Sequence, residues 1–182
     1  LEIFRIANNW IDSHGYPMFR IKNEALAKIR ACKIEGLAPA RLKRMRSVRR
    51  KLAAINAKLD QIQDLGGCRI IVPSINDARL LIRRFDERAV HPRHNFKSYI
   101  DEPKIGGYRS YHAIFKFRGD GESEGFNNRR VELQIRTRLQ HAWATAVEAV
   151  GYFRGEELKA GKGSAEWLRL FELMSAELAM VE

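Results

Sequence analysis

Apolar residues recur at helical spacing in six stretches of the chain. Positions three and four apart lie on the same side of a helix, so this spacing predicts helices that bury one face and expose the other. Gly15 and Pro17 are expected to separate the first helix from the second. The predicted helices cover residues 1–14, 22–35, 41–59, 76–88, 139–152 and 164–181.

Four shorter segments between these helices have the character of β-strands. Some are short apolar runs, and others alternate between apolar and polar side chains, which is the period of a half-buried strand. Strands mixed with helices on this scale predict an α/β or α+β fold, with one mixed sheet flanked by helices. The four predicted strands lie at residues 68–72, 95–99, 113–118 and 131–136.

The alternation within residues 131–136 divides the side chains between two faces. Val131, Leu133 and Ile135 are expected to face the core. The opposite face then carries a carboxylate, an amide and a guanidinium, from Glu132, Gln134 and Arg136. Because such groups are costly to bury without partners, that face either meets solvent or lines a site.

The length of 182 residues suits a single domain. The chain begins at Leu1 rather than at a methionine, and its last predicted helix runs to Glu182 without a stop signal, so a fragment of a longer protein is expected. No apolar run reaches the roughly 18 residues of a membrane span, and no signal peptide is visible. These features predict a cytoplasmic protein with no membrane partner.

The charge of the chain is strongly positive. Thirty-three Lys and Arg against 22 Asp and Glu leave a net charge of +11. This charge favours nucleotides, tRNA, ribosomes or DNA as partners. A basic surface that only keeps the protein in solution is the alternative. Arginine and lysine both grip phosphate oxygens, so the densest basic segment suits a triphosphate. A solvated helix or a contact with an RNA backbone are the alternatives for it. Its residues are Arg41, Lys43, Arg44, Arg46, Arg49, Arg50 and Lys51.

Two carboxylates are candidates for a Mg²⁺ site. Asp64 lies just before two glycines and a predicted strand, and Glu132 lies on the polar face of another. Magnesium usually takes one or two carboxylates and completes its shell with water and phosphate oxygens. A turn aspartate and a solvated strand face are the ordinary alternatives. The helix that follows favours a site, because one side of it carries His141, Thr145 and Glu148.

Tyr108 follows two glycines and precedes Arg109, which makes it a candidate platform for stacking a base. A core or edge tyrosine is the alternative. His112 either contacts phosphate or packs at the start of a strand.

Four motifs occur in a fixed order at residues 41–51, 64–70, 99–112 and 132–137. In this order they resemble the synthetase domain of the RelA/SpoT family, the alarmone synthetases, over residues 41–148 with helical flanks at 1–36 and 164–182. The resemblance implies a nucleotidyltransferase-like fold and a pyrophosphokinase that moves the β,γ-pyrophosphate of ATP to a ribose 3′-hydroxyl.

The resemblance also implies a role for each matching residue. Asp64 would bind Mg²⁺, and Glu132 would share the metal or take the proton from the attacking hydroxyl. The ATP-binding residues would be Arg41, Lys43, Ser47, Lys51 and Arg69, with the adenine between the two arginines. The acceptor-binding residues would be Lys104, Tyr108, Arg109, His112, Gln134 and Arg136, with Tyr108 stacked on the base.

Two departures leave the acceptor open. Many alarmone synthetases carry Asn at the position of Gly106 and Asp at that of Ser98, both on the acceptor side. The run at 139–144 resembles single-domain synthetases and their toxin relatives, some of which modify the 3′ end of tRNA. No hydrolase motif of the HD type is found in the chain.

The leading expectation is synthesis of (p)ppGpp from ATP and GDP or GTP. The alternatives are pyrophosphorylation of the CCA end of tRNA and a non-catalytic RNA-binding module. A homo-oligomer is left open.

Overall fold

The computed structural model describes residues 2–182, and residue 1 of the first predicted helix lies outside this range. The helices of the described chain are α1 (Glu2–Asp12), α2 (Gly15–Ala31), α3 (Met45–Ile55), α4 (Ile75–Arg88), α5 (Arg138–Arg154) and α6 (Ala165–Val181). The strands are β1 (Ala40–Leu42), β2 (Gly66–Val72), β3 (Arg93–Ser98), β4 (Tyr111–Lys116) and β5 (Arg130–Thr137). None of these helices is long and apolar enough to cross a membrane.

The five strands form one mixed sheet in the order β1-β2-β5-β4-β3. The central pair, β2 and β5, is parallel, and the other three pairs are antiparallel. Helices flank this sheet, so the predicted fold class is confirmed.

One face of the sheet is packed against α2 and α4. Val131, Leu133 and Ile135 of β5 are completely buried on this face, as their alternation predicts. They meet apolar residues from both helices, such as Ile21 and Leu81. Burial of each large aliphatic side chain stabilises the fold by about 1.5–3 kcal/mol, so this layer fixes which residues of β5 face the other way.

The prediction of a helix over residues 41–59 is wrong at its beginning. Residues 40–42 pair with the open edge of β2, and Arg69 N–H donates to Pro39 O at 2.8 Å. The edge of a sheet offers backbone partners that local periodicity does not anticipate. Helix α3 begins only at Met45, so Lys43 does not share a helix face with Arg46 and Arg50.

The expected break between the first two helices is shorter than predicted. Helix α2 begins at Gly15 and contains Pro17 in its first turn. A proline is tolerated there because the N–H groups of the first turn have no partner within the helix.

Helices α5 and α6 enclose a second apolar cluster, which contains Trp143, Tyr108 and Phe171. Trp143 Nε1–H donates to Phe171 O at 2.8 Å. Ser175 of α6 donates through its hydroxyl to Gly107 O at 2.5 Å. The last helix therefore rests directly on the glycine turn that precedes β4.

The two glycines of this turn provide a matched pair of substitutions. Gly106 and Gly107 have φ values of +90° and +89°, but a Cβ atom at Gly107 would lie 2.7 Å from Ser175 Cβ, whereas one at Gly106 would meet nothing within 4 Å. Gly106→Ala is expected to lower the free energy of unfolding by about 1–2 kcal/mol through backbone strain. Gly107→Ala should cost a further ~1–3 kcal/mol because α6 must shift. Urea unfolding curves measure both, and equal losses would contradict the contact with α6.

Candidate active site

The polar face of β5 is a continuous row of hydrogen bonds. Gln134 donates through Nε2 to Glu132 Oε2 at 2.7 Å, and its Oε1 accepts from Arg136 Nη2 at 2.7 Å. The same Oε1 accepts from Arg69 Nε at 3.3 Å. Arg69 lies opposite Gln134 in the parallel pairing of β2 with β5. Gln134 therefore connects the carboxylate to two guanidinium groups.

Glu132 is also held from β4. His112, which is paired with Gln134 across the sheet, places Nδ1 2.9 Å from Glu132 Oε1 and Nε2 2.8 Å from the hydroxyl of Tyr108. Burial alone would raise the pKa of Glu132, but the hydrogen bonds from His112 and Gln134 outweigh it and hold the pKa below its ordinary value. Glu132 is therefore an oriented carboxylate at neutral pH.

Asp64 is held by two lysines at the entrance to β2. Lys43 Nζ lies 2.7 Å from Asp64 Oδ2, and Lys51 Nζ lies 2.8 Å from Oδ1. Burial raises the pKa of Asp64, but the hydrogen bonds and charges of the two lysines outweigh it and lower the pKa overall. The main chain fixes the position of Lys43, since its N–H donates to Leu65 O at 2.8 Å.

Both carboxylates border one cavity of about 310 Å³ between β1, β2, β5 and α5. This volume falls at the lower end of the range of small-molecule sites. Cations and carboxylates alternate around it, so an anionic ligand would meet positive charge on several sides. The lining residues are Pro39, Ala40, Arg41, Lys43, Asp64, Gly67, Cys68, Arg69, Glu132, Gln134, Glu148 and Lys159.

Arg136, the last side chain of the hydrogen-bonded row on β5, is almost completely buried, with 1% of its surface exposed. Burial lowers the pKa of its guanidinium. Its Nε has no hydrogen-bond partner among residues 2–182, and the same is true of the buried Nδ1 of His141. Two donor or acceptor positions therefore remain unused near the cavity.

The structure does not bring every predicted site residue to the cavity. Arg109 turns away, because its guanidinium donates to Ile100 O at 2.5 Å and to Ser175 Oγ at 3.3 Å. Ser47 lies on α3 outside the lining residues. Lys104 Nζ lies 4.4 Å from the centre of the Tyr99 ring. The roles of these residues toward nucleotides stay predictions.

Tyr108 is 4% exposed and packs against Trp143 and His112. Two ammonium groups, from Lys104 and Lys159, lie 5.4 and 5.3 Å from the centre of its ring. Stacking of a base on Tyr108 stays a prediction, and it requires neighbouring side chains to move aside.

Two charged residues of the cavity were not predicted as part of the site. Glu148 lies on the helix side that also carries His141 and Thr145, so helical spacing offered a signal for it. Lys159 lies in a turn at Leu158–Ala160, between the last two predicted helices. Nothing in the local sequence distinguishes this lysine from other loop lysines.

The two carboxylates are compatible with the predicted Mg²⁺ ion, whose binding stays a prediction. Within residues 2–182, no group of three or more His, Cys, Asp and Glu side chains could hold a metal ion. Two carboxylates on a cavity rich in cations are the smaller donor set that magnesium uses when phosphate oxygens complete its shell.

The profile of a protein family described as "Region found in RelA / SpoT proteins" matches residues 40–157, more than half of the chain. The chain belongs to the RelA/SpoT family, and the predicted family is confirmed.

Several curated proteins are similar in sequence. GTP pyrophosphokinase YjbM of Bacillus subtilis (strain 168) is 30% identical over 108 residues, which cover 59% of this chain and 50% of that protein. The bifunctional (p)ppGpp synthase/hydrolase RelA of Mycobacterium tuberculosis is 27% identical over 162 residues, 89% of this chain and 21% of that protein. A probable GTP pyrophosphokinase of Mycobacterium leprae is 27% identical over 162 residues, 89% of this chain and 19% of its own length. The chain thus spans about a fifth of the mycobacterial relatives.

Solved structures share the fold. Small alarmone synthetase 1 from Bacillus subtilis superposes with a TM-score of 0.78 at 23% identity, covering 95% of this chain and 90% of that one. Small alarmone synthetase 2 from the same organism gives a TM-score of 0.80 at 21% identity, with 96% and 92% covered. The chain has the fold of the small alarmone synthetases.

The lowered pKa of Asp64 makes a prediction about acid stability. The unfolded carboxyl titrates near pH 3.9, and the folded one titrates lower, so the unfolded state binds more protons in the interval between. The stability that Asp64 contributes is therefore complete above about pH 5 and is lost as the pH falls through the folded pKa. Asp64→Asn should flatten the fall in unfolding free energy between roughly pH 5 and pH 2, measured by urea unfolding.

Asp101→Asn is the control for this measurement, because the side chain of Asp101 is 71% exposed in its ion pair with Arg79. An exposed pair contributes little, so this variant should keep the wild-type pH profile. Identical profiles for Asp64→Asn and wild type would contradict the coupling to Lys43 and Lys51.

Proposed function

We propose that the protein is an ATP-dependent pyrophosphokinase that transfers the β,γ-pyrophosphate of ATP to the 3′-hydroxyl of GDP or GTP. The observation that carries the proposal is the placement of Asp64 and Glu132 on one cavity lined with cations. The relatives agree with it, since one of them is named a GTP pyrophosphokinase and another a probable GTP pyrophosphokinase. Small alarmone synthetase 1 from Bacillus subtilis was also solved with its product pppGpp bound and with AMPCPP bound.

The ATP half of the site is formed by β1, α3 and β2. Arg41 and Arg69 lie on the neighbouring strands β1 and β2, and both line the cavity. Lys43 and Lys51 hold Asp64 in the present structure. A triphosphate offers these ammonium groups stronger anionic partners, so its binding would free the carboxylate for a metal ion.

Asp64 and Glu132 would hold Mg²⁺ between them. When bound, the ion would neutralise part of the charge on the transferred group. The protein itself supplies position and the surrounding cations, which are the main requirements of phosphoryl transfer.

In the proposed reaction, Glu132 would also accept the proton of the attacking hydroxyl. The acceptor 3′-oxygen forms a bond to the β-phosphorus of ATP, the bond from that phosphorus to the oxygen bridging it to the α-phosphate breaks, and AMP leaves. The hydroxyl proton passes to a carboxylate oxygen of Glu132, which His112 and Gln134 keep oriented. We place this reaction in the cytoplasm, as expected from the sequence, because ATP and GTP are both available there.

A second candidate keeps this chemistry and changes the acceptor to the CCA end of tRNA. Exposed arginines on and just before α3 favour it, because they lie beside Lys43 and could contact an RNA backbone. These residues are Arg44, Arg46, Arg49 and Arg50.

Product analysis tests the proposed activity. Purified protein with γ-labelled ATP, Mg²⁺ and GDP or GTP should yield a labelled nucleotide that carries the pyrophosphate on its 3′-oxygen. Bulk tRNA offered in parallel should stay unlabelled. Label on the RNA alone would replace the leading proposal with the tRNA reaction. RNA binding without ATP consumption would replace both with a non-catalytic module.

Substitution of the two carboxylates tests the site. Glu132→Gln and Asp64→Asn should each lower turnover by two or more orders of magnitude, because each removes a charge that the reaction requires. Circular dichroism should show that both variants remain folded. Glu122→Gln, on the distant segment at Gly121–Phe126, is the matched control and should keep wild-type turnover. Wild-type rates in either carboxylate variant would refute the assignment.

A further inference from the structure

Glu148 of α5 and Lys159 of the following turn form an ion pair at one end of the cavity. Their side chains are 59% and 32% exposed, so both are accessible to a ligand. Lys159 lies beyond the residues that the family profile matches, which end at 157. An ion pair that solvent reaches in this way adds little to stability, so the fold loses little when a ligand separates the pair.

The pair is connected to the carboxylate Glu132 through aromatic residues. Lys159 Nζ lies 5.3 Å from the centre of the Tyr108 ring. The Tyr108 hydroxyl lies 2.8 Å from His112, which in turn contacts Glu132 at 2.9 Å. A nucleoside whose ribose lies at Glu132 could therefore extend its base toward the pair.

Other groups at this end lack partners. Arg136 Nε and His141 Nδ1 are buried and unpartnered within residues 2–182. His141 lies within electrostatic reach of Arg136, Glu148 and Lys159. Buried polar atoms are nearly always hydrogen-bonded, so water or a polar ligand is expected to meet these two. The third buried polar atom without a partner in residues 2–182, Trp10 Nε1, belongs to a different apolar cluster.

The chemistry of the pair distinguishes guanine from adenine. An ionised carboxylate only accepts hydrogen bonds, and an ammonium only donates them. The edge of guanine presents two donors, N1–H and the N2 amine, beside the acceptor O6. Adenine instead presents an amine donor at the position of O6 and an acceptor at N1. A carboxylate beside an ammonium thus complements guanine and opposes adenine.

We propose that Glu148 and Lys159 read the base of the acceptor nucleotide as guanine. Glu148 accepts from N1–H and from the N2 amine, and Lys159 donates to O6. Both exchange their mutual contact for contacts with the base. The inference rests on the proposed function and names the residues that select the acceptor.

Equilibrium binding of GDP, IDP and ADP, with AMPCPP present, tests this inference without requiring turnover. IDP lacks only the N2 amine, so wild type should bind GDP about tenfold more tightly than IDP, and ADP more weakly than either. Glu148→Ala should weaken GDP binding and bring the ratio of GDP to IDP affinity close to one. Glu148→Gln, which keeps one acceptor oxygen, should give an intermediate ratio of GDP to IDP affinity. This variant replaces the alanine variant in the test if the latter does not fold.

Lys159→Met should behave differently, because O6 is common to GDP and IDP. Both nucleotides should lose affinity by a similar factor, while discrimination against ADP falls. Glu157→Ala and Lys162→Met are the matched controls on the same exposed loop, and they should leave all three affinities unchanged.

An unchanged GDP to IDP ratio in both Glu148 variants would overturn the inference, as would equal binding of GDP and IDP by wild type. In either case, turnover of GDP by wild type would leave the proposed function standing. If wild type neither binds nor converts a guanine nucleotide, the proposed function fails, and the inference fails with it.

Discussion

The parallel pairing of β2 with β5 is the constraint on which the site depends. Asp64 lies just before β2, and Glu132 is the third residue of β5. Parallel strands begin at the same edge of a sheet, so two carboxylates that are far apart in the chain come to one cavity. A shift of the pairing by one residue would turn Glu132 toward the aliphatic layer, where Leu133 now lies.

The cavity is organised as a set of compensated charges. Asp64 is paired with two lysines, Glu132 with His112 and Gln134, and Glu148 with Lys159. Each carboxylate stays ionised although the site is partly enclosed, because hydrogen bonds to the charged form outweigh its desolvation. Cations and anions in the cavity are therefore already oriented, and an anionic ligand would have to exchange places with these existing partners.

Alternation along β5 was sufficient to predict which of its residues face the aliphatic core, because a period of two admits only one assignment once the aliphatic side is buried. On the other face, Glu132 and Gln134 line the cavity, whereas Arg136 does not. Helical periodicity predicted a helix from residue 41, but residues 40–42 instead pair with the edge of β2. The orientation of Arg109 could not be predicted, since it depends on Ser175 and Ile100, which local pattern does not connect to it. Lys159 was not predicted as a site residue, because its position at the cavity also depends on residues that the local pattern does not connect to it.

The seating of α6 on the turn at Gly107 has a consequence for how this fold can diverge. The helix supplies no side chain to the cavity lining, yet Ser175 fixes the main chain beside Tyr108 and also contacts Arg109. Substitutions on this peripheral helix can therefore shift the main chain beside Tyr108 while Asp64 and Glu132 stay untouched. Under the proposed function, acceptor preference and chemical competence would be separable traits, free to change along different evolutionary routes.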